Sequence, residues 1–168
     1  MKIFLVGLMG SGKTDLGKKV SKSIKLPFID LDEVLEKQEG MPVFKLFSEK
    51  GHRYFRTIEA EALRKQSEAP EFVMATGGGT PCYKGGMKFM NETGITIFLD
   101  TPLPDIMKRL DKGQRQRRPL LADVPDDEIE QKLQIILEKR LPFYEQAHFI
   151  LNGAKATAWD VFQLVTKK

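Results

Sequence analysis

Residues 7–14, GLMGSGKT, constrain this chain more than any other stretch. They match G-x-x-x-x-G-K-[ST] at every fixed position and lie between the apolar run 2–6 and a segment, 14–24, in which Leu16, Val20 and Ile24 recur at helical spacing. Strand, glycine-rich turn and helix in that order make a phosphate cradle. Gly10, Ser11 and Gly12 belong to a turn whose glycines let the backbone curl, so that successive N–H groups face phosphate oxygens, and the helix N-terminus adds its dipole. Lys13 is expected on the β and γ phosphates of a nucleotide, and the Thr14 hydroxyl on a Mg²⁺ ion that bridges them.

The remaining sequence alternates strands with helices. A second strand is expected at 28–32, running into a helical start at Glu33. Pro42 precedes a short amphipathic helix carrying Val43, Phe44, Leu46 and Phe47, and Gly51 separates it from a helix at 54–65. Further strands are expected at 72–75, 94–100 and 149–151. Helices are expected at 103–110, at 126–147 with an interruption near Pro142, and at 158–165, and residues 111–122 read as a loop. The run ITIFLD is apolar at consecutive positions rather than alternate ones, as in a strand covered on both faces. The pattern predicts an α/β fold with a parallel sheet between helical layers.

At 168 residues, with 41% hydrophobic and 30% charged side chains, one domain with its own core is expected, spanning 1–168. No apolar stretch approaches the roughly 18 residues of a membrane span. The apolar start is too short for a secretory signal and Cys82 has no cysteine partner, so the cytoplasm is the expected address and a packing role the expected one for Cys82. The net charge of +4 suits a nucleotide as well as a nucleic acid. The basic cluster Lys108, Arg109, Lys112, Arg115, Arg117 and Arg118 lacks the interleaved aromatics of a single-strand binder, so no nucleic-acid partner is expected. His52 and His148 show no partner pattern and read as structural or solvated, and no sticky face is evident, which makes a monomer the default.

On the acceptor side, Asp30 and Asp32 stand two apart on the expected second strand, so both carboxylates should leave one face toward the cradle. One suits the water shell of a metal, the other an incoming hydroxyl that it positions or deprotonates. Arg56 precedes Glu59 by three, a helical spacing at which the carboxylate holds the guanidinium. Arg56, Arg140 and the turn Gly77, Gly78, Gly79 together suit a small carboxylate, because a guanidinium fork matches its geometry. The residues alone therefore point to a P-loop kinase of a small, hydroxylated, anionic acceptor.

The runs GLMGSGKT, FIDLDE, FRTIE, ATGGGTP, RRPLL and KRLPFYE, in that order and covering nearly the whole chain, closely resemble the shikimate kinase family. The resemblance implies a three-layer α/β/α P-loop kinase with a five-stranded parallel sheet in order 2-3-1-4-5. It also implies transfer of the γ-phosphoryl group of ATP, with Mg²⁺, to the 3-hydroxyl of shikimate, on the route to chorismate and the aromatic amino acids. By the same resemblance Asp30 lies near the metal and Asp32 binds the shikimate hydroxyls as a candidate base. Arg56 and Arg140 grip the carboxylate, with Glu59 orienting Arg56; Gly77, Gly78 and Gly79 touch substrate; Phe47 and Phe55 wall the ring. Substrate-binding helices fall at about 32–62 and a mobile lid at about 111–122, whose Arg118 swings onto the phosphates. Lys13, Asp32 and Arg118 are then the catalytic set. Asp15, where the family more often has Ser or Thr, and Arg109 join the nucleotide contacts, and 152–156 replaces the usual opening of the adenine loop. A gluconate kinase-like protein would share the cradle but has no reason to bring Arg56, Arg140 and three glycines together.

Overall fold

The computed structural model describes residues 1–166; the last two positions of the expected domain, 167 and 168, lie outside the described residues. Five parallel strands form one sheet: β1 (Lys2–Val6), β2 (Phe28–Asp30), β3 (Phe72–Ala75), β4 (Ile95–Asp100) and β5 (Phe149–Asn152), in the order β2-β3-β1-β4-β5. That is the order the family resemblance implies. The central β1 pairs on one side with β3 (Ile3 opposite Val73) and on the other with β4 (Val6 opposite Phe98). Side chains alternate across it into two cores. Ile3 and Leu5 pack with Val73, Ile97 and Leu99 under α1 (Lys13–Ile24) and, in the last described helix, Val161 and Val165. Phe4 and Val6 pack with Met74 and Phe98 on the other face, where Leu46, Leu63, Met90, Leu133 and Tyr144 close the layer. Burial on both faces explains why these strands read as unbroken apolar runs.

The helices after α1 are α2 (Leu31–Glu39), α3 (Val43–Gln66), α4 (Gly86–Thr93), α5 (Leu103–Arg109), α6 (Lys112–Gln116), α7 (Ile129–Tyr144) and α8 (Ala158–Thr166). The two helices expected on either side of Gly51 meet end to end in α3, and the break between them sits at Gly51, whose φ of 83° a side chain would resist. Three expectations are corrected. Strand β2 ends at Asp30 rather than 32, because the Asp30 carboxylate caps α2, accepting from the backbone N–H groups of Asp32 at 3.1 Å and Glu33 at 3.4 Å. Pro142 does not interrupt α7; the carbonyl it leaves without a donor belongs to Glu138, an exposed residue that water reaches. The segment 111–122 is not all loop: Asp111 caps α6 by accepting from the Gln114 N–H at 2.8 Å. Among the described residues no helix is long and apolar enough to cross a membrane.

Parallel strands put every strand-to-helix turn at one edge of the sheet. β1 lies where the strand order reverses, so its phosphate loop opens at the crevice between the turns after β3 and β4. The site follows from that topology.

Candidate active site

At that edge two cavities share a wall. The larger, about 690 Å³, is lined by Gly10, Gly12, Lys13, Thr14, Asp15, Asp30 and Arg109. The Lys13 ammonium is buried under the loop and donates to the carbonyls of Gly7 and Leu8, both at 2.9 Å, with the Ser11 hydroxyl at 3.4 Å. Among the described residues no carboxylate is salt-bridged to it. Burial first, then the positive charge of Arg118, pushes its pKa down to about 7 against the pull of Asp32 and Asp30. Ser11 is fully buried beneath the loop. Arg109 reaches from α5 across the mouth, donating to the Gly10 carbonyl at 3.3 Å and the Gly153 carbonyl at 3.4 Å. It thereby ties the phosphate loop to the 152–156 turn, in which Asn152 accepts from the Ala154 N–H at 3.0 Å.

The smaller cavity, about 210 Å³, is walled by Phe47 and Phe55 on one side and by Gly77, Gly78 and Gly79 on the other. Both guanidinium groups enter it. Arg56, from α3, is 6% exposed and donates to Glu59 at 2.6 Å; Glu59 also accepts from the Thr80 hydroxyl at 2.7 Å. Arg140, from α7, is 7% exposed. The triple glycine is required by these charges. A Cβ at Gly79 would collide with the Arg56 guanidinium, one at Gly78 would stand 2.9 Å from the Arg140 Nη1, and one at Gly77 would stand 2.8 Å from a Glu59 oxygen. Two arginines 84 positions apart in sequence (140 less 56) thus meet over adjacent glycines, as the sequence required for a carboxylate pocket.

Asp32, Gly78, Arg117 and Arg118 face both cavities. Asp32 sits on the first turn of α2, not on a strand, and still reaches the shared wall; burial, followed by the nearby Asp30 and Glu59 charges, pushes its pKa up to about 6. The Arg118 Nε, like that of Arg115, is buried with no hydrogen-bond partner among the described residues. Arg115, its neighbour in the basic cluster, pairs with Asp126 at 3.0 Å.

A magnesium site can be tested on the donor set. The Thr14 hydroxyl donates to the Asp30 Oδ2 at 2.8 Å, placing two hard oxygen donors together at the start of α1. Among the described residues no group of three or more His, Cys, Asp or Glu side chains forms a metal cage. One hydroxyl, one carboxylate and no cage fits a cation that keeps most of its waters and takes its other ligands from phosphates.

Several participants were not anticipated. Tyr144, fully buried, donates to the Gly78 carbonyl at 2.6 Å and so fastens the glycine turn to the helix carrying Arg140. Its i, i+4 spacing from Arg140 inside KRLPFYE was the available signal. Tyr83 lays its ring 4.3 Å from the Arg56 Cζ. His52, expected to be structural or solvated, accepts from the Arg56 Nε at 3.3 Å. His148 is structural as expected, exchanging hydrogen bonds with Thr96. Burial pushes the Cys82 thiol up to about 11, in keeping with packing rather than attack.

The sequence profile of the family described as shikimate kinase matches residues 9–168. A shikimate kinase of Bacteroides thetaiotaomicron is 43% identical over 153 residues, 91% of this chain and 87% of that protein. Among solved structures, the shikimate kinase of Bacteroides thetaiotaomicron superposes with a TM-score of 0.86 at 40% identity, covering 99% of this chain and 95% of that one. The Acinetobacter baumannii shikimate kinase, solved in complex with shikimate, superposes with a TM-score of 0.87 at 31% identity, covering 99% and 90%.

Proposed function

The chain belongs to the shikimate kinase family, and we infer from its joined cavities that it transfers the γ-phosphoryl group of ATP to the 3-hydroxyl of shikimate, giving shikimate 3-phosphate and ADP. One observation carries the reading. Two buried guanidinium groups, from α3 and α7, converge over Gly78 and Gly79 in a pocket that shares a wall with the phosphate cradle. Arg56, held by Glu59, and Arg140 take the shikimate carboxylate, while Phe47 and Phe55 face its ring. The ring hydroxyls then point at Asp32, on the wall toward the γ-phosphate.

Catalysis by this chain is mostly positioning and charge compensation. Loop N–H groups and Lys13 hold the β and γ phosphates; binding them gives the buried ammonium a counter-charge and raises its lowered pKa again. Asp32 accepts a hydrogen bond from the 3-hydroxyl and aims its oxygen at the phosphorus. Mg²⁺, bound with ATP, would be ligated by Thr14, its water held by Asp30, and would supply polarisation of the phosphoryl oxygens. The lid, α6 and the turns that follow it, brings Arg117 and Arg118 over the join and shuts out water that would otherwise take the phosphoryl group.

Both substrates meet residues of one chain, so we expect a monomer. Of the basic cluster, Arg109, Arg115, Arg117 and Arg118 are turned to Gly10, Gly153, Asp126 and the cavities, and Lys108 and Lys112 alone do not make a stripe, so we expect no nucleic-acid partner. We expect the enzyme to work in the cytoplasm, where the lone thiol of Cys82 stays reduced.

The direct test is ADP release with Mg²⁺ and ATP: strong stimulation by shikimate is expected, with gluconate and nucleoside monophosphates inert. Stimulation by a control, or none by shikimate, would remove the assignment. Asp32 adds a pH signature. Its raised pKa means that the carboxylate is protonated below about 6, so kcat/KM should fall as pH drops through that value and level off above it. The same shift makes folding stability decline as pH rises from the ordinary aspartate range through about 6, because the folded state binds the proton more tightly than the unfolded chain. Asp32→Asn should abolish the acid limb of kcat and lower kcat by about a hundredfold or more.

A further inference from the structure

We propose that His52 is a positioning residue of the acceptor pocket, whose neutral imidazole holds Arg56 in its carboxylate-binding orientation and whose protonation in mild acid loosens acceptor binding without slowing phosphoryl transfer. This rests on the shikimate reading of the pocket.

The Arg56 guanidinium has five N–H donors, and the protein fixes two of its nitrogens: Nη1 donates to Glu59 at 2.6 Å and Nε to the His52 Nε2 at 3.3 Å. Those two contacts set the plane and rotation of the fork and leave its remaining N–H groups for a ligand. His52 is an exposed residue, and two rings flank its imidazole. Its ring lies 5.6 Å from that of Phe47 and 5.1 Å from that of Tyr83, both edge-on, and these rings also face the guanidinium, with the Arg56 Cζ at 5.6 Å and 4.3 Å. His52 is thus the outer piece of an aromatic clamp around the cation.

The contact works in one protonation state. Nε2 accepts from Arg56 only while it carries no proton; the imidazolium has no acceptor and sets a like charge against the guanidinium. The charged and titratable groups facing the ring are Arg56 and Glu59 from its own helix, Arg140 from α7 and the phenol of Tyr83 from the turn after β3. Burial, then Arg56, lowers the His52 pKa below its usual 6.5, with Glu59 opposing and Arg140 adding to the fall. The ring is therefore neutral at pH 7 and charges as the solution is acidified. Once charged it must part from Arg56, and the fork loses one of its two supports. Lys13 and Arg118 belong to the phosphate cavity and the shared wall, and His52 lines neither cavity, so its effect falls on acceptor affinity.

The test compares the parent enzyme with His52→Gln, whose amide oxygen can accept from the same N–H but does not titrate. Shikimate Kd by calorimetry, and KM and kcat with saturating ATP, are measured from pH 7.5 to 5. In the parent, Kd and KM should rise about three- to tenfold over this range beyond any change seen in the variant, while the Asp32-dependent fall in kcat is common to both. His52 and His148 are the only histidines, so loss of one imidazole signal in the variant assigns the other by NMR. Linkage then requires saturating shikimate to lower the His52 pKa in the parent by the logarithm of that ratio, a measurement that stands even if the variant fails to fold. Identical Kd profiles in the two proteins, or a His52 pKa unmoved or raised by shikimate, overturns the proposal while shikimate-dependent turnover leaves the function intact. Absence of both shikimate binding and turnover at pH 7.5 overturns both.

Discussion

Replacing Lys13 with methionine should reduce turnover by about a thousandfold or more while leaving the empty protein as stable as the parent or more so. The two expectations come from the same geometry. Without nucleotide the ammonium is buried, bonded to two carbonyls and one hydroxyl and, among the described residues, salt-bridged to no carboxylate; burial, then the Arg118 charge, has lowered its pKa to about 7. A lysine pKa lower in the folded than in the unfolded state means that the unfolded chain binds the proton more tightly between about 7 and the ordinary value of 10.5. Stability therefore rises with pH across that window, and below it the charge is a net cost to the fold. Methionine has a similar stem without the charge and removes that cost. With MgATP the ranking should reverse: phosphate oxygens supply the counter-charge, so nucleotide raises the melting temperature of the parent and much less that of the variant. Thermal melts with and without MgATP, together with steady-state rates, check this. A variant that melts well below the parent in the absence of nucleotide would make Lys13 a structural residue.

The cradle was legible in the sequence because its information is contiguous: eight residues fix the backbone, and flanking strand and helix patterns fix its setting. The three central strands, β3, β1 and β4, were legible for a related reason, since burial on both faces turns a strand into an apolar run. Helix α4 was not anticipated, for it opens on Gly85 and Gly86 and buries only Met87 and Met90 along its side-chain face, too weak a period to read. The placement of Asp32 failed on a local competition. Apolar patterning favoured extending β2 to 32, but the Asp30 carboxylate found two N–H donors ahead of it and started a helix early. Arg56 and Glu59 were visible as an oppositely charged helical pair three apart, whereas His52, four before Arg56, carries no fixed charge to mark it as a partner. The Tyr144 bond to Gly78 spans 66 positions, and only the tertiary fold reveals such a partner.

Long-range convergence matters most at the lid, where Arg118→Ala should lower kcat by about a hundred- to a thousandfold while shifting the shikimate KM by less than about threefold. Arg118 lines both cavities, whereas the carboxylate grip we propose falls to Arg56 and Arg140, whose guanidinium groups stand against the glycine turn without it. At the join of the two cavities its guanidinium can meet the charge that builds on the γ-phosphoryl oxygens. That interaction strengthens between ground state and transition state, which is why the loss should appear in kcat. Arg118→Lys should recover only part of the rate, because an ammonium cannot present the planar fork. Arg117, exposed on the same lid, offers an internal comparison: if Arg117→Ala costs as much as Arg118→Ala, or Arg118→Ala costs nothing, the transition-state role does not belong to Arg118. A proportional rise in shikimate KM with unchanged kcat would instead move Arg118 to the acceptor grip and leave the charge at the join to Lys13 alone.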